Sequence, residues 1–225
     1  MAKEIRSLLQ RLPDQLVVIL LRLLWLDILG DLWKAGKKLL QGPAYEGMYE
    51  VLEYESSLEL RDKHGKYALF QKREKVRYLQ DNIIAYQDQA WGDGEILLNY
   101  RCTPGKQVDR YRPGRKTYIL ISLRSVKNKR DVDEFNIRWG MRNGFLRATE
   151  LWETEINHST KRLKVEVIFP NARPPQRTWL IEATRRRSHI LSQDALVQLP
   201  NGRWLVSWET NNPRLHERYL LKWKW

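Results

Sequence analysis

Hydrophobic and polar positions repeat with two different periods along this chain, and the period changes at Gly42-Pro43. Ahead of that point Val17, Leu21, Leu24, Ile28, Leu32, Ala35 and Leu39 recur three and four residues apart, which lines them on one face of a helix. Arg22, Asp27, Asp31, Lys34, Lys37 and Lys38 fall beside or opposite that stripe. The spacing predicts a helix over about residues 14–41, opened by Pro13-Asp14 after a short helix from Lys3 to Leu12 and closed by Gly42-Pro43. Up to Leu26, apolar side chains (Leu16, Val18, Ile19, Leu20, Leu23) cover most of the circumference, as burial on more than one side requires.

This arm, residues 1–42, reads best as a docking element. Its longest apolar run, Leu16 to Leu29, is shorter than the roughly 20 residues a transmembrane helix needs and contains Arg22 and Asp27. A signal peptide is disfavoured too, because no small-residue cleavage site follows the run. Two readings remain. The stripe packs on its own domain, a protein partner or a second copy of the chain, or it lies on an anionic membrane surface with Trp25, Trp33 and the three lysines at the interface.

From residue 43 onward, period two takes over. Leu52, Tyr54, Leu58 and Leu60 share one face while Glu53, Glu55, Ser57 and Glu59 share the other, the pattern of a half-buried strand. Asp62-Lys63-His64-Gly65 turns the chain and Tyr67 to Tyr78 returns it, so residues 49–78 are expected to form a long hairpin. Further strands are expected at 83–87, 95–101, 117–124, 134–141, 145–156, 162–169, 177–184, 195–199, 203–209 and 218–225. About ten to twelve short strands with turn residues between them imply a mainly β domain over 43–225, an antiparallel sandwich or barrel. No residue pattern recurs at a fixed period, which disfavours solenoids and propellers.

Aromatic residues concentrate at the C-terminus. Tyr219, Leu221, Trp223 and Trp225 alternate with Leu220, Lys222 and Lys224, and Trp204, Val206 and Trp208 repeat the pattern one segment earlier. Joined through Asn211-Asn212-Pro213, the two strands are expected to pair with their tryptophan faces together. Either these rings are core, or Trp208, Trp223 and Trp225, with Tyr111, form a platform for stacking a base or sugar.

Charge adds a second theme. Lys and Arg outnumber Asp and Glu by 40 to 27, a formal +13 that attracts polyanions and anionic surfaces. Residues 101–130 carry ten basic side chains and one acid, Asp109, or +9 of that total. Within it, Pro104-Gly105 and Pro113-Gly114 frame a segment expected to be a structured loop that presents Lys106, Arg110, Tyr111 and Arg112, with Arg115 and Lys116 following. Arg185, Arg186 and Arg187 form a second cluster, and such arginines suit phosphate contact, so nucleic acid is a candidate partner.

Chemistry is harder to find. Cys102 is alone, which excludes an internal disulfide and favours a reducing, cytoplasmic setting, with peripheral membrane attachment as the variant the arm allows. His64, His158, His189 and His216 lack metal-ligand spacing, and no nucleophile elbow or phosphate loop is present, so neither cofactor nor metal is expected. Asp81, Asp88, Asp93 and Glu95 would suit acid–base or cation chemistry only if folding converged them, and Cys102 would be reactive only if nearby arginines lowered its pKa. The balance favours a non-enzymatic binding or adaptor module, the arm docking and the basic β domain recognising. Polyanion binding through 101–130 and Arg185 to Arg187 is the alternative.

Overall fold

The computed structural model describes residues 47–225. The arm expected to be helical and its stripe, Val17, Leu21, Leu24, Ile28, Leu32 and Leu39, therefore lie outside the described residues.

The expected hairpin forms. β1 (Tyr49–Leu60) and β2 (Tyr67–Tyr78) pair antiparallel from Tyr49↔Tyr78 to Leu60↔Ala68. The Asp62 carboxylate accepts bonds from the backbone N–H groups of His64, Lys66 and Tyr67 at 2.8, 3.3 and 2.6 Å, which satisfies donors the turn takes out of the ladder. Gly65 sits there at φ 69°, where a Cβ would strike the Phe145 carbonyl oxygen. A bulge at Leu52 shifts the pairing, so the inward face of β1 runs Val51, then Tyr54, Ser56, Leu58 and Leu60.

Twelve further strands follow: β3 (Ile83–Ala90), β4 (Glu95–Thr103), β5 (Lys106–Tyr111), β6 (Thr117–Lys127), β7 (Val132–Arg142), β8 (Thr149–Glu155), β9 (Thr160–Phe169), β10 (Arg177–Glu182), β11 (Arg187–Ile190), β12 (Leu196–Gln198), β13 (Trp204–Asn211) and β14 (Arg218–Lys224). Two depart from the sequence reading. The segment expected as a loop between Pro104-Gly105 and Pro113-Gly114 is instead β5, because Gln107, Asp109 and Tyr111 alternate in exposure with Lys106, Val108 and Arg110 against β6. β11 is a short strand whose side chains are all exposed, so no apolar alternation marks it.

The strands make three open sheets, ordered β12-β13-β9-β1-β2-β7-β4, β11-β10-β14-β8 and β3-β6-β5. All ladders are antiparallel except β1 with β9, which run parallel from Val51↔Thr160 to Glu59↔Ile168. The two small sheets share the inner face of the large one. Toward one end Phe70 and Trp139 of β2 and β7 meet Trp152 of β8, with Phe70 4.9 Å from it, and Phe169 of β9 meets Trp223 of β14 at 5.4 Å. Toward the other end Phe135 of β7 stacks on Tyr86 of β3 at 3.9 Å.

This layering corrects the expected pairing of the two tryptophan-rich strands. β13 is hydrogen-bonded to β9 and β12, and β14 to β10 and β8, so their aromatic faces meet across the layer, Trp208 lying 5.0 Å from Tyr219. Trp223 and Trp225 are 1% and 7% exposed and belong to the core, which removes them from the aromatic platform. Their burial follows from period two, which turns both indoles toward Phe169.

Candidate binding face on the large sheet

The outward positions of β1 and β2 are those that alternate with the core. They are Glu53, Glu55, Ser57 and Glu59 on one strand, Gln71, Arg73, Lys75 and Arg77 on the other, and the ladder sets Glu55 opposite Arg73 and Ser57 opposite Gln71. Adding β9, β13, β7 and β4 extends these pairs into rows across the sheet. One row reads Glu209, Lys164, Glu55, Arg73, Asn136, Thr103, and another Asn211, Arg162, Glu53, Lys75, Glu134. Opposite charges on neighbouring strands attract, and the side chains close accordingly. Arg73 reaches Glu53 at 2.6 Å, Glu55 at 3.0 Å and Glu134 at 3.0 Å, while Arg162 joins Glu55 at 3.1 Å to Glu209 at 2.9 Å. A single exposed pair of this kind contributes about 0–1 kcal/mol, and pairs joined in a network count for more than isolated ones.

Within this face lies a pocket of about 410 Å³. Its floor is the strand backbone at Ser56, Lys72 and Ile137, whose buried side chains turn inward, and its walls are Glu55, Ser57, Gln71, Arg73, Arg101, Asn136, Arg138 and Glu166. Lys164 holds Glu166 at 2.7 Å, with Ser207 donating a further bond at 3.3 Å.

Directly beneath the pocket, on the other side of β2, the sheet carries a buried ionic cluster. Lys72 lies 2.6 Å from Asp88 and 2.9 Å from Glu74, with all three residues under a tenth exposed. Tyr86 donates its hydroxyl proton to Glu74 at 2.8 Å and Tyr100 donates to Asp88 at 2.9 Å, while the Lys72 ammonium sits 5.5 Å from the centre of the Tyr54 ring. Burial alone would strip the proton from Lys72, but the adjacent Asp88 and Glu74 charges outweigh it and raise its pKa well above the lysine range. Burial and the Asp88 charge raise Tyr100 as well, and burial raises Tyr86. Each carboxylate thus has a cation and a phenol, and the cluster joins the three-stranded sheet to the large sheet.

Cys102 of β4 adjoins this cluster. Burial first, then the Asp88 charge, pushes its thiol up to about 12, and it contacts the Pro104 carbonyl oxygen at 3.4 Å. The expectation of a thiol lowered by arginines is thereby overturned: burial and the Asp88 and Glu74 carboxylates outweigh the one cation that reaches it, Lys72. The four acidic candidates do not converge either. Asp88 is in the cluster, Asp81 accepts from the Lys129 backbone N–H at 2.9 Å, Asp93 faces Arg147 at 3.2 Å and Glu95 faces Arg142 at 3.3 Å. Among the described residues no three His, Cys, Asp or Glu side chains are grouped to hold a metal ion.

The basic candidates are dispersed. Lys106 and Arg110 project from β5, an edge strand of the three-stranded sheet, where charge also discourages strand addition, and Arg110 lies 5.9 Å from the centre of the Tyr100 ring. Arg112 and Arg115 are exposed in the β5–β6 turn, beside Tyr111, which stacks on Tyr118 at 5.3 Å. Lys116 is ion-paired with Glu155 of β8 and Lys127 with Asp133 of β7 at 2.8 Å. Arg185 pairs with Glu182 at 3.2 Å, and Arg186 and Arg187 are exposed in and after the β10–β11 turn. Trp208 is half-buried. The sequence reading missed Arg73, Arg138 and the Lys72 cluster. Their signal was the charged residue inside each strand pattern, but the partners come from other strands, as where Arg73 meets Glu134, 61 residues away.

Two consequences follow for stability. Lys72→Met leaves two buried carboxylates without a cation and should destabilise the fold by about 3–5 kcal/mol in urea unfolding. The triple replacement Lys72→Met, Glu74→Leu, Asp88→Leu, which removes the whole cluster, should lose less than that single change. The second concerns pH. The Arg73 hydrogen bond holds Glu55 below the ordinary 4.5, and at Glu59 the Arg203 bond and charge, with Arg61, overcome the opposing effect of burial. A carboxyl whose folded pKa is depressed stabilises above its unfolded pKa and loses that contribution as pH falls through the folded value. The thermal midpoint should therefore fall as pH drops from about 5 toward 3, with Glu59→Gln flattening the slope in a pH series of melting curves.

No family model and no curated protein matches the chain. Among solved structures it is similar to a protein from Parabacteroides distasonis assigned as a protease, at 11% identity and a TM-score of 0.47 over 79% of this chain and 40% of that one. It is also similar to the M1 zinc metallopeptidase from Deinococcus radiodurans, at 8% identity and a TM-score of 0.41 over 77% and 42% of the two chains. A protein from Legionella pneumophila assigned to nutrient binding matches at 8% identity and a TM-score of 0.46, over 78% of this chain and 67% of that one. The chain spans about two fifths of the length of the first two, 40% and 42%. Likeness at this level is distant, and it assigns this chain no substrate and no chemistry.

Proposed function

We propose that the chain is a non-catalytic recognition module, in which the helical arm docks on a protein partner, a second copy or an anionic membrane surface, and the outer face of the large sheet receives a ligand. One observation carries the recognition half: the open 410 Å³ pocket on that face, walled by charged and amide side chains. The buried Lys72 cluster supports the same reading, since its charges are spent on one another and on Tyr86 and Tyr100. The arm half rests on the apolar stripe of Leu21, Ile28 and Leu32. Full-length chain carrying Leu21→Asp, Ile28→Asp and Leu32→Asp should sediment as a monomer and stay in the supernatant with phosphatidylserine vesicles. Unmodified chain should dimerise or co-sediment. If both remain monomeric and vesicle-free, the arm is not a self-association or membrane-docking element.

A second reading has its own observation. Arg112 and Arg115 are exposed, enter no ion pair among the described residues, and flank the Tyr111–Tyr118 stack, the pairing of cation and ring that single-stranded nucleic acid uses. On this reading log affinity for an oligonucleotide falls linearly with log salt, and Arg112→Ala with Arg115→Ala reduces the slope by about two phosphate contacts. Absence of binding at low salt would eliminate it.

A further inference from the structure

The charge rows of the outer face alternate in sign until one place. The row through Ser207, Glu166, Ser57, Gln71, Arg138 and Arg101 has its one acid on β9, passes two neutral side chains, and ends with two arginines directly opposite each other on β7 and β4. Like charges in that position repel. Neither Arg101 nor Arg138 enters an ion pair among the described residues, although the same sheet supplies three carboxylates to Arg73 alone.

The backbone is distorted to make this pairing. Continuing the register that sets Glu95 opposite Arg142 would bring Asn99 opposite Arg138. Two register shifts, one between Glu95 and Leu98 and one between Leu98 and Arg101, bring Arg101 there instead, with Leu97 and Asn99 held at φ 62° and 52°. A bulky residue at positive φ is strained, and bulges of this kind re-aim side chains. Strained backbone, mutual repulsion and an open pocket thus coincide at one pair of guanidinium groups.

We propose that Arg101 and Arg138 form the anion-binding end of the pocket and take the carboxylate or phosphate group of a small polar ligand. The inference rests on the recognition-module reading and names the ligand class for its face. Two guanidinium forks side by side offer several N–H donors to one oxyanion, and a bound anion turns their repulsion into a shared attraction. The remaining walls define the rest of the ligand. Gln71, Ser57 and Asn136 present neutral amides and a hydroxyl, while Glu55 and Glu166 are already held by Arg73, Arg162 and Lys164. With neighbouring strands about 4.8 Å apart, the step from Arg138 on β7 to Ser57 on β1 is about 10 Å, which suits a compact polyol or amide body behind the anionic group.

The test uses the full-length chain with glycerol 3-phosphate and gluconate as probes, ionic strength being held constant with sodium chloride. Saturable binding by calorimetry, with a matching rise in thermal midpoint, is expected for at least one, and which one responds separates phosphate from carboxylate. Arg138→Gln and Arg101→Gln should each weaken that binding about tenfold or more, and Arg138→Lys should weaken it while keeping charge and fold. Arg214→Gln, exposed between β13 and β14, should bind as the unmodified chain does. No saturable response to either probe, or an unchanged response in the doubly substituted Arg101→Gln, Arg138→Gln chain, overturns the proposal. The chain carrying the three arm substitutions should bind the probes normally. Probe binding lost while arm-dependent association persists removes the anion site alone, whereas loss of both in the unmodified chain removes the module reading with it.

Discussion

The register between β1 and β2 is the constraint on which the rest of this domain depends. Because successive side chains point to opposite faces, one choice of pairing decides that Ser56 and Lys72 turn inward while Ser57 and Arg73 turn outward. A slip of one residue would expose Leu58 and Phe70 and drive Glu55 and Arg73 into the core. The penalty for that slip is the loss of most of the apolar burial along two twelve-residue strands, far larger than any single ion pair on the surface. The outer charge rows are therefore a consequence of the register, and they reinforce it only at the margin.

The same constraint sets the two faces of the sheet to different tasks. The inner face is aromatic where it meets the four-stranded sheet and combines the Lys72 ionic cluster with the Phe135–Tyr86 stack where it meets the three-stranded sheet, so the two small layers dock side by side without being interchangeable. The Lys72–Asp88 and Tyr86–Glu74 bonds tie β3 to β2 across the two layers. The outer face is charged around its pocket, which spans β9, β1, β2, β7 and β4, and turns apolar in the neighbouring row of Leu205, Ile168, Leu69 and Leu98.

A good part of this was legible from local pattern. The hairpin over residues 49–78, the turn at Asp62 to Gly65 and the aromatic face of the last strand all follow from period two and turn chemistry, and these are the places where each residue's neighbours in sequence are also its neighbours in space. Where the reading went astray, a distant strand had decided the outcome. β5 reads as a loop in the sequence because its edge position leaves it charged and the flanking prolines and glycines look like punctuation, and β13 and β14 read as partners because they are adjacent in sequence, although each pairs elsewhere.

The site shows the division most sharply. Residue types and a fixed two-residue period are enough to make the domain mainly β and basic and to say which side chains share a face within each strand. The packing of distant strands is what sets Arg101, part of the basic run 101–130, opposite Arg138, brings Asp88 to Lys72 and raises the Cys102 thiol. Each of those outcomes is an interaction between strands that are brought together by the order and register of a sheet, and electrostatic energy depends on distance in space, which the linear chain does not carry.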